Sequence, residues 1–288
     1  MKSFIVLVVV IFMITGLSFS ILSNNGITLQ PTKIAHIGGN SVNSSSLTFG
    51  STMITTGLWN LESAYGNSSI YVYSNSTINI LGNFTNVVEK LSMAGVTSYP
   101  SVQFSHNILI PVEKFETNYF SYVSFDFVKL NWGIFHDCAY DLWFTNNKTT
   151  MNPTAEMMIW LDWSTPPGGE TSPLDSFNMM TLVNGVEENV TWNLYFSGQI
   201  NEHNYNTYIF APSIPVSNQM SYKLSLSEFV VKLQSLAGIN LNQSYVKSID
   251  IGTEFGTGIV NNEVYDVWLN TYIIENGIKV PIVQGWYL

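Results

Sequence analysis

Residues Ala155–Trp163 read AEMMIWLDW, a segment too short for a membrane helix and too apolar for a surface loop. The side chains of a β-strand alternate between two faces, so Glu156, Met158 and Trp160 would share one face of a strand here. The intervening Met, Ile and Leu side chains would share the other face, which is purely apolar and suits a core. The segment therefore predicts a strand between a core and a second, partly polar surface.

Two carboxylates lie in this kind of surrounding. Glu156 would lie beside a thioether and an indole, and Glu254 follows Gly252-Thr253 in an apolar, Gly-rich segment. An idle carboxylate is costly in apolar surroundings, although most Glu residues in any chain are solvated surface groups. Flat apolar side chains suit the faces of sugar rings, and glycoside hydrolysis uses two carboxyl groups in opposite protonation states. The pattern indicates a sugar-cleaving site, with two unrelated surface Glu residues as the alternative.

The rest of the chain predicts an all-β fold with one helix. From Leu47 onward, short runs of Val, Ile, Thr, Tyr and Phe alternate with Gly, Asn and Ser, which is typical of strands and turns. Residues 225–237 are different, because their apolar residues recur at helical spacing. Ser225 and Glu228 form a capping box, and Gly238 supplies a stop. We expect two antiparallel sheets packed face to face, with this helix on the outside.

Composition excludes several function classes. Hydrophobic residues make up 46% and aromatic residues 14% of the 288 residues, enough for a core with aromatic surface left over. Charged residues make up only 10%, the net charge is −10, and the chain has no Arg, which argues against nucleic-acid binding. Cys138 is the single cysteine, so no intramolecular disulfide is possible. With His136 it matches no thiol-protease pattern, and a buried Cys is the simpler interpretation.

We expect no metal and no cofactor, because the four His residues lack metal-ligand spacing. The sequence pI of about 4.7 favours an acidic environment, since a surface of Asn, Ser and Thr loses little when carboxylates are neutralised.

The N-terminal residues predict export. Residues 1–22 combine a basic start, an apolar run and small residues, which is typical of a signal peptide, with an uncleaved membrane anchor as the alternative. Residues 23–46 are polar and weakly patterned, which predicts a linker or leader. Residues 47–288 would then form the catalytic domain. We expect a secreted, extracellular protein, with tethering to the cell surface as the second possibility.

Several motifs resemble glycoside hydrolase family 12, the small jelly-roll endoglucanases and cellulases. Glu156-Met157-Met158-Ile159-Trp160-Leu161 resembles the nucleophile strand of that family, and Gly252-Thr253-Glu254 resembles its acid/base segment. Ala139-Tyr140-Asp141-Leu142-Trp143-Phe144-Thr145 is similar to the strand that carries an Asp beside the nucleophile. Leu58-Trp59-Asn60 resembles a Leu-Trp-Gly motif, although Gly57 stands where the family usually has Asn. The resemblance, to a secreted and archaeal type of enzyme, covers roughly Leu47 to Ile274.

The resemblance implies a fold and an activity. The fold would be an antiparallel β-jelly-roll sandwich with a concave substrate cleft. The protein would be a monomeric, retaining endo-β-1,4-glucanase acting on cellulose-like glucan, mixed-linkage glucan or xyloglucan. Glu156 would be the nucleophile, Glu254 the acid/base, and Asp141 a hydrogen-bond partner of Glu156. A retaining mechanism would place the two Glu carboxyl groups about 5–5.5 Å apart.

The same resemblance implies a binding surface made of Trp59, Met158 and Trp160. We expect the two Trp side chains to be partly exposed and to line one groove with Met158. A non-catalytic carbohydrate-binding jelly roll is the alternative, because it would keep the Trp residues and need neither Glu. A surface-layer or adhesion protein is a third possibility, but it leaves the Glu motifs unexplained.

Overall fold

The structure, a computed structural model, describes most of the chain from Lys33 to Ile282. The described ranges are 33–39, 43–90, 96–104, 109–115, 119–131, 134–150, 152–167, 172–198, 205–213, 219–256 and 262–282. Residues 33–288 form one compact unit. The expected signal peptide or anchor, residues 1–22, lies outside the described residues. Within them, no helix is long and apolar enough to cross a membrane.

These residues form eighteen strands and two helices. In chain order the strands β1 to β18 are Lys33–Gly39, Ser46–Phe49, Thr52–Thr55, Leu61–Tyr73, Thr77–Glu89, Val96–Ser98, Ser101–Phe104, Ile110–Pro111, Tyr119–Leu130, Phe135–Thr145, Ala155–Trp163, Asp175–Val183, Val186–Gly198, Asn206–Pro212, Gln219–Ser225, Tyr245–Gly256, Glu263–Glu275 and Ile278–Pro281. The helices are α1, Val112–Phe115, and α2, Leu226–Ala237. The expected all-β class is confirmed.

The strands form two layers. The back layer contains β1, β4, β5, β17, β9 and β15, in that order of hydrogen-bonded neighbours. The site layer contains β13, β14, β11, β10, β16, β7, β3 and β2. The hairpin of β12 and β13 joins the layers, because β12 also pairs with β15. This is the jelly-roll arrangement that the sequence predicts.

One core fills the space between the layers. The ring of Phe255 in the site layer stacks on Tyr265 in the back layer with centroids 3.8 Å apart. The hydroxyl of Ser121 in the back layer donates to the Tyr140 hydroxyl at 2.7 Å. The inward side chains of both layers belong to one buried apolar cluster. The opposite face of the site layer, called the outer face here, is therefore left for a function other than core packing.

Two features depart from the expected fold. Strands β11 and β14 run parallel, from the pair Ala155 and Asn206 to the pair Ile159 and Phe210. The β12–β13 hairpin lies between them in sequence and supplies the longer connection that parallel strands need. Strand β1 lies within the expected linker, residues 23–46, and pairs with β4. The folded unit therefore begins before residue 47.

Helix α2 forms where its periodicity and caps predict it. The Ser225 side chain accepts a hydrogen bond from the Glu228 backbone N–H at 3.2 Å. Gly238 ends the helix in the left-handed conformation, with φ of 65°. Phe229 enters the core and meets Trp192 edge-on, with ring centroids 4.9 Å apart. The one-turn helix α1 was not expected, because four residues are too few to give a periodic pattern.

Candidate active site

Strand register collects buried acids on the outer face of the site layer. Asp137 and Asp141 lie on β10, directly opposite Glu254 and Asp250 on β16. Residues directly opposite each other in antiparallel strands point to the same face. Glu156 lies on β11, the other neighbour of β10. We call these residues the carboxyl cluster: Asp137, Asp141, Glu156, Asp250 and Glu254.

Glu156 is nearly buried and hydrogen-bonded within this cluster. Its side chain is 5% exposed, and its Oε2 accepts a hydrogen bond from the Thr207 hydroxyl at 2.8 Å. Burial raises the pKa of Glu156 to about 8; the bond from Thr207 opposes the rise, and the charges of Glu254 and Asp250 add to it. Strongly perturbed carboxyls with defined partners are typical of catalytic sites.

Glu254 is half-buried and lies against Asp137. Burial raises the pKa of Glu254, and a side-chain hydrogen bond with Asp137 opposes that rise. The Glu254 backbone N–H also donates to Asp137 Oδ1 at 3.3 Å. Asp137 was not among the site residues predicted from the sequence. Its even spacing from Asp141 on one strand was the available signal, because such residues share a face.

Asp141 interacts with Glu156 through charge. Burial raises the pKa of Asp141 well above its usual range, and the charges of Glu156, Glu254 and Asp250 add to this effect. Among the described contacts there is no hydrogen bond between Asp141 and Glu156, and Asp141 Oδ1 is buried without a partner. Asp141 therefore interacts electrostatically with both Glu156 and Glu254. The hydrogen bond between Asp141 and Glu156 that the sequence suggests stays a prediction.

Trp160 is more buried than expected, and Met158 is buried beside it. Each is only 6% exposed, in an apolar cluster on the outer face with Ala139, Ile209 and Ala211. Phe135, Trp163 and Tyr195 pack around that cluster. Strand β14, which runs parallel to β11, supplies Ile209 and Ala211 to this cluster. The two residues form a floor beside the carboxyl cluster, and the expectation that Trp160 is partly exposed is wrong.

Trp59 is exposed, as expected for a residue that is not in the core. Its side chain is 43% exposed, in the loop between β3 and β4. The Gly57 carbonyl accepts hydrogen bonds from the backbone N–H groups of Trp59 and Tyr99, both at 2.9 Å. The Tyr99 hydroxyl donates to the Ala139 carbonyl at 3.0 Å, and the carboxyl cluster raises the pKa of Tyr99 further after burial. Through these hydrogen bonds, Tyr99 links the loop that carries Trp59 to strand β10, which carries part of the carboxyl cluster.

Gly57 explains why this loop departs from the usual family motif. Its φ is +55°, and a Cβ at this position would overlap the carbonyl group of Tyr99. Asn tolerates a positive φ but carries a Cβ, so the close approach of the Tyr99 backbone requires glycine.

Two further aromatic residues lie beside Glu156. Trp143 is directly opposite Glu156 in the β10–β11 register and is half-buried. Tyr205 meets the Trp143 ring edge-on, with centroids 5.2 Å apart, and the charges of Glu156 and Asp141 help to raise the pKa of its hydroxyl after burial. The strand pattern already places Trp143 on the face of Asp141. Nothing near Tyr205 in the sequence signals its position.

Other candidates do not extend the site. Cys138 is fully buried on the core side, and burial raises the pKa of its thiol, so it is an inert core residue. Among the described residues, no group of three or more His, Cys, Asp and Glu has the geometry of a metal site. A groove of about 660 Å³ lies on the back layer, lined by residues such as Tyr122, Asp126 and Trp268, and none of the carboxyl cluster lines it.

The residues of the outer face are suited to acid–base and nucleophilic catalysis. Two Glu residues lie on the strands that flank β10, in different surroundings, with aromatic rings beside them. A protein-family model described as glycosyl hydrolase family 12 matches residues 51–271. The chain belongs to glycosyl hydrolase family 12. It is therefore a glycosyl hydrolase by family, and the jelly-roll fold agrees with that membership.

Solved structures of family 12 enzymes share the fold. Endoglucanase 3 from Trichoderma harzianum is 20% identical, over 84% of this chain and 99% of that chain, with a TM-score of 0.59. A family 12 xyloglucanase from Bacillus licheniformis is 19% identical, over 84% and 99%, with a TM-score of 0.60. Endoglucanase cel12A from Rhodothermus marinus is 17% identical, over 86% and 100%, with a TM-score of 0.58. No curated protein sequence matches the chain.

Proposed function

We propose that this family 12 protein is a retaining endo-β-1,4-glucanase that cleaves internal bonds of cellulose-like glucans by double displacement. The observation that carries the proposal is the placement of Glu156 and Glu254 on the same outer face, on the two strands that flank β10. Each interacts electrostatically with the other and with Asp141. Family membership supplies the substrate class.

In the first step, the Glu156 carboxylate attacks the anomeric carbon while Glu254 donates its proton to the leaving glycosidic oxygen. This forms a covalent glycosyl ester on Glu156 and releases the first product. In the second step, Glu254 takes a proton from water, and the water oxygen displaces Glu156 from the anomeric carbon. The enzyme regains its starting protonation state.

The surroundings support this assignment of roles. A hydroxyl donor favours the ionised form of a carboxyl, and Thr207 supplies one to Glu156. Burial raises the pKa of Glu254, although a side-chain hydrogen bond with Asp137 opposes that rise, and a raised pKa favours holding a proton. Asp141 interacts with both, so its protonation keeps the negative charge of the cluster low when Glu156 must be ionised.

Aromatic residues around the cluster suit a glucan chain. Trp143 and Tyr205 lie beside Glu156, and Trp59 is exposed near Tyr99. Flat rings of this kind bind the apolar faces of sugars, while Met158 and Trp160 shape the floor. Glucan polymers are outside cells, so this activity agrees with the export that the sequence of residues 1–22 predicts.

The test measures release of reducing ends from carboxymethylcellulose, mixed-linkage glucan and xyloglucan. Xyloglucan belongs in this panel because one structure that shares the fold is a xyloglucanase. We expect hydrolysis by the wild type and a loss of about 10⁴-fold or more in Glu156→Gln, the size seen when a nucleophile is removed. Glu62→Gln, at an exposed position on β4, is the matched control and should be fully active.

NMR of the first product separates the mechanisms, since retention gives the β-anomer first. Unchanged hydrolysis by Glu156→Gln would reject the nucleophile assignment. Binding of oligosaccharide without any release of reducing ends would instead favour the non-catalytic binding protein.

A further inference from the structure

The outward face of the back layer contains a groove that the proposed mechanism does not use. It has a volume of about 660 Å³, within the range of about 300–1,000 Å³ that is usual for ligand sites. Its lining comes from β5, β9, β15 and β17 and from the turn of the β12–β13 hairpin. The core separates this face from the outer face of the site layer, which holds the carboxyl cluster. The groove is therefore distinct from the candidate active site.

Two pairs of stacked aromatic rings each contribute one ring to the lining of this groove. Trp268 lines it and is 37% exposed, and Tyr73 stacks on its indole with ring centroids 5.4 Å apart. Tyr122 also lines it and stacks on Tyr272, with centroids 5.0 Å apart. Trp268 and Tyr272 are four residues apart on β17, which is about 13 Å along a strand. This spacing allows one extended chain of sugar rings to contact both pairs.

Polar side chains between the two pairs are oriented by hydrogen bonds to one another. Asp126 lies directly opposite Trp268 in the β9–β17 register and accepts a hydrogen bond from the Gln219 amide at 3.1 Å. The Asn270 amide donates to the Thr77 hydroxyl at 3.0 Å. Carboxylate, amide and hydroxyl groups together can both donate to and accept from the hydroxyls of a sugar. Aromatic pairs also stabilise a sheet, so the argument for a ligand rests on their combination with these polar groups.

The charge and the size of the groove restrict the ligand that fits it. Among the described residues that line it, Asp126 is the only charged one. An anionic ligand would meet this carboxylate without a cation in the lining to balance it, so the groove favours an uncharged ligand. Its apolar lining consists of a few side chains, whereas a stable protein interface uses about 20–30 residues on each side. Flat rings beside oriented polar groups are instead suited to a neutral sugar chain.

We propose that this groove is a second binding site for a β-glucan chain, which holds the polymer on the back layer while the cleft cuts it. The inference rests on the proposed function for the kind of sugar, because the groove itself indicates only a neutral sugar chain. A polymer held at one site is presented to the other at a raised effective concentration. Long chains can contact both faces, whereas a short oligosaccharide occupies only one face at a time.

The direct test observes the groove itself. The indole N–H signal of Trp268 is followed by ¹H–¹⁵N NMR in the full chain with Glu156→Gln, which prevents hydrolysis, and is assigned by its loss in Trp268→Ala. Cellohexaose should shift this signal in a saturable manner. Asp126→Ala should raise the Kd read at Trp268 by about tenfold, the effect of losing a hydrogen bond to a charged group. Phe120→Ala is the matched control, because Phe120 is a 40% exposed aromatic residue on β9 that does not line the groove.

Three results would overturn the proposal. The first is a Trp268 signal that cellohexaose does not shift, and the second is an equal rise of Kd in Phe120→Ala and Asp126→Ala. The third is a dimer, detected by light scattering, that Trp268→Ala dissociates, since the face would then bind a second copy of the chain. If Asp126→Ala does not fold, the titration of the unaltered groove still decides the proposal.

Hydrolysis of long mixed-linkage glucan tests the link between the groove and cleavage. With Glu156 intact, Trp268→Ala should raise KM for this polymer by about tenfold, the effect of losing one aromatic contact, and leave kcat unchanged. An unchanged KM would contradict a role in holding the polymer. If the wild type hydrolyses no glucan, the proposed function fails, and the Trp268 signal still shows whether the groove binds a β-glucan chain.

Discussion

Glu263 offers a test of how burial of acids links stability to pH. It lies on β17, is 1% exposed, and accepts a hydrogen bond from the Thr97 hydroxyl at 2.6 Å. Its other oxygen, Oε2, is buried without a partner. Burial raises the pKa of Glu263 from 4.5 to about 7, against the opposing bond from Thr97 and with a contribution from the charge of Glu89.

The folded protein therefore binds this proton more tightly than the unfolded chain does. The resulting stabilisation is fully present below the unfolded pKa of 4.5 and is lost as the pH rises through about 7. A rise from 4.5 to about 7 corresponds to about 3 kcal/mol in the free energy of unfolding. Glu263→Gln cannot titrate, so it should lack this part of the pH dependence.

The assay is urea unfolding of the wild type, Glu263→Gln and the exposed control Glu62→Gln from pH ~4 to ~8.5, a range that spans both pKa values. Relative to the wild type, Glu263→Gln should gain about 3 kcal/mol across this range, while Glu62→Gln should run parallel to the wild type. Parallel curves for Glu263→Gln and the wild type would refute the reasoning. Burial also raises the pKa of Asp250 to about 7 and of Asp162 to about 6, so total stability should fall as the pH rises.

Four further predictions concern the cleft and the loop that carries Trp59. Thr207→Val removes the donor to Glu156, so the pKa of Glu156 should rise and the acidic limb of the kcat/KM profile should move to higher pH, with about a tenfold loss at acid pH. Trp59→Ala should lower kcat/KM by about tenfold and leave the unfolding free energy within about 0.5 kcal/mol. Trp160→Ala should instead destabilise by about 3–5 kcal/mol in chemical unfolding, and an unchanged stability would show that it is not packed. Gly57→Ala should lower the melting temperature, because it adds a clash to a positive φ.

Local sequence patterns were sufficient to predict the structural features that depend only on neighbouring residues in the chain. The alternation in β11 gave the outward face of Glu156 correctly, because a strand repeats every two residues. Helix α2 followed from its 3.6-residue period and from Ser225 and Gly238 at its ends. These signals need no knowledge of which strand lies beside which.

Features that depend on distant strands were not predicted. The burial of Trp160 depends on Ile209 and Ala211, which the parallel strand β14 brings alongside β11. The β12–β13 hairpin places that strand there, and nothing within Ala155–Trp163 encodes it. The local sequence around Trp160 does not distinguish a buried floor residue from an exposed residue that stacks on a sugar.

Asp137 shows the same limit for the candidate site. Asp137 lies between His136 and Cys138 and was not among the site residues predicted from the sequence. Its place opposite Glu254 depends on the register between β10 and β16, two strands far apart in the sequence. Strand register is decided by the packing of the whole sheet. The local sequence therefore predicts only that Asp137 and Asp141 lie on the same face of their strand.

The most direct test of the central claim is to trap the glycosyl-enzyme. A 2-deoxy-2-fluoro-β-cellobioside with a good leaving group should inactivate a retaining enzyme by slowing hydrolysis of the covalent intermediate. Peptide mapping by mass spectrometry should then find the added sugar on Glu156. A label on another residue, or an active enzyme that forms no covalent adduct, would contradict the assignment of Glu156 as the nucleophile.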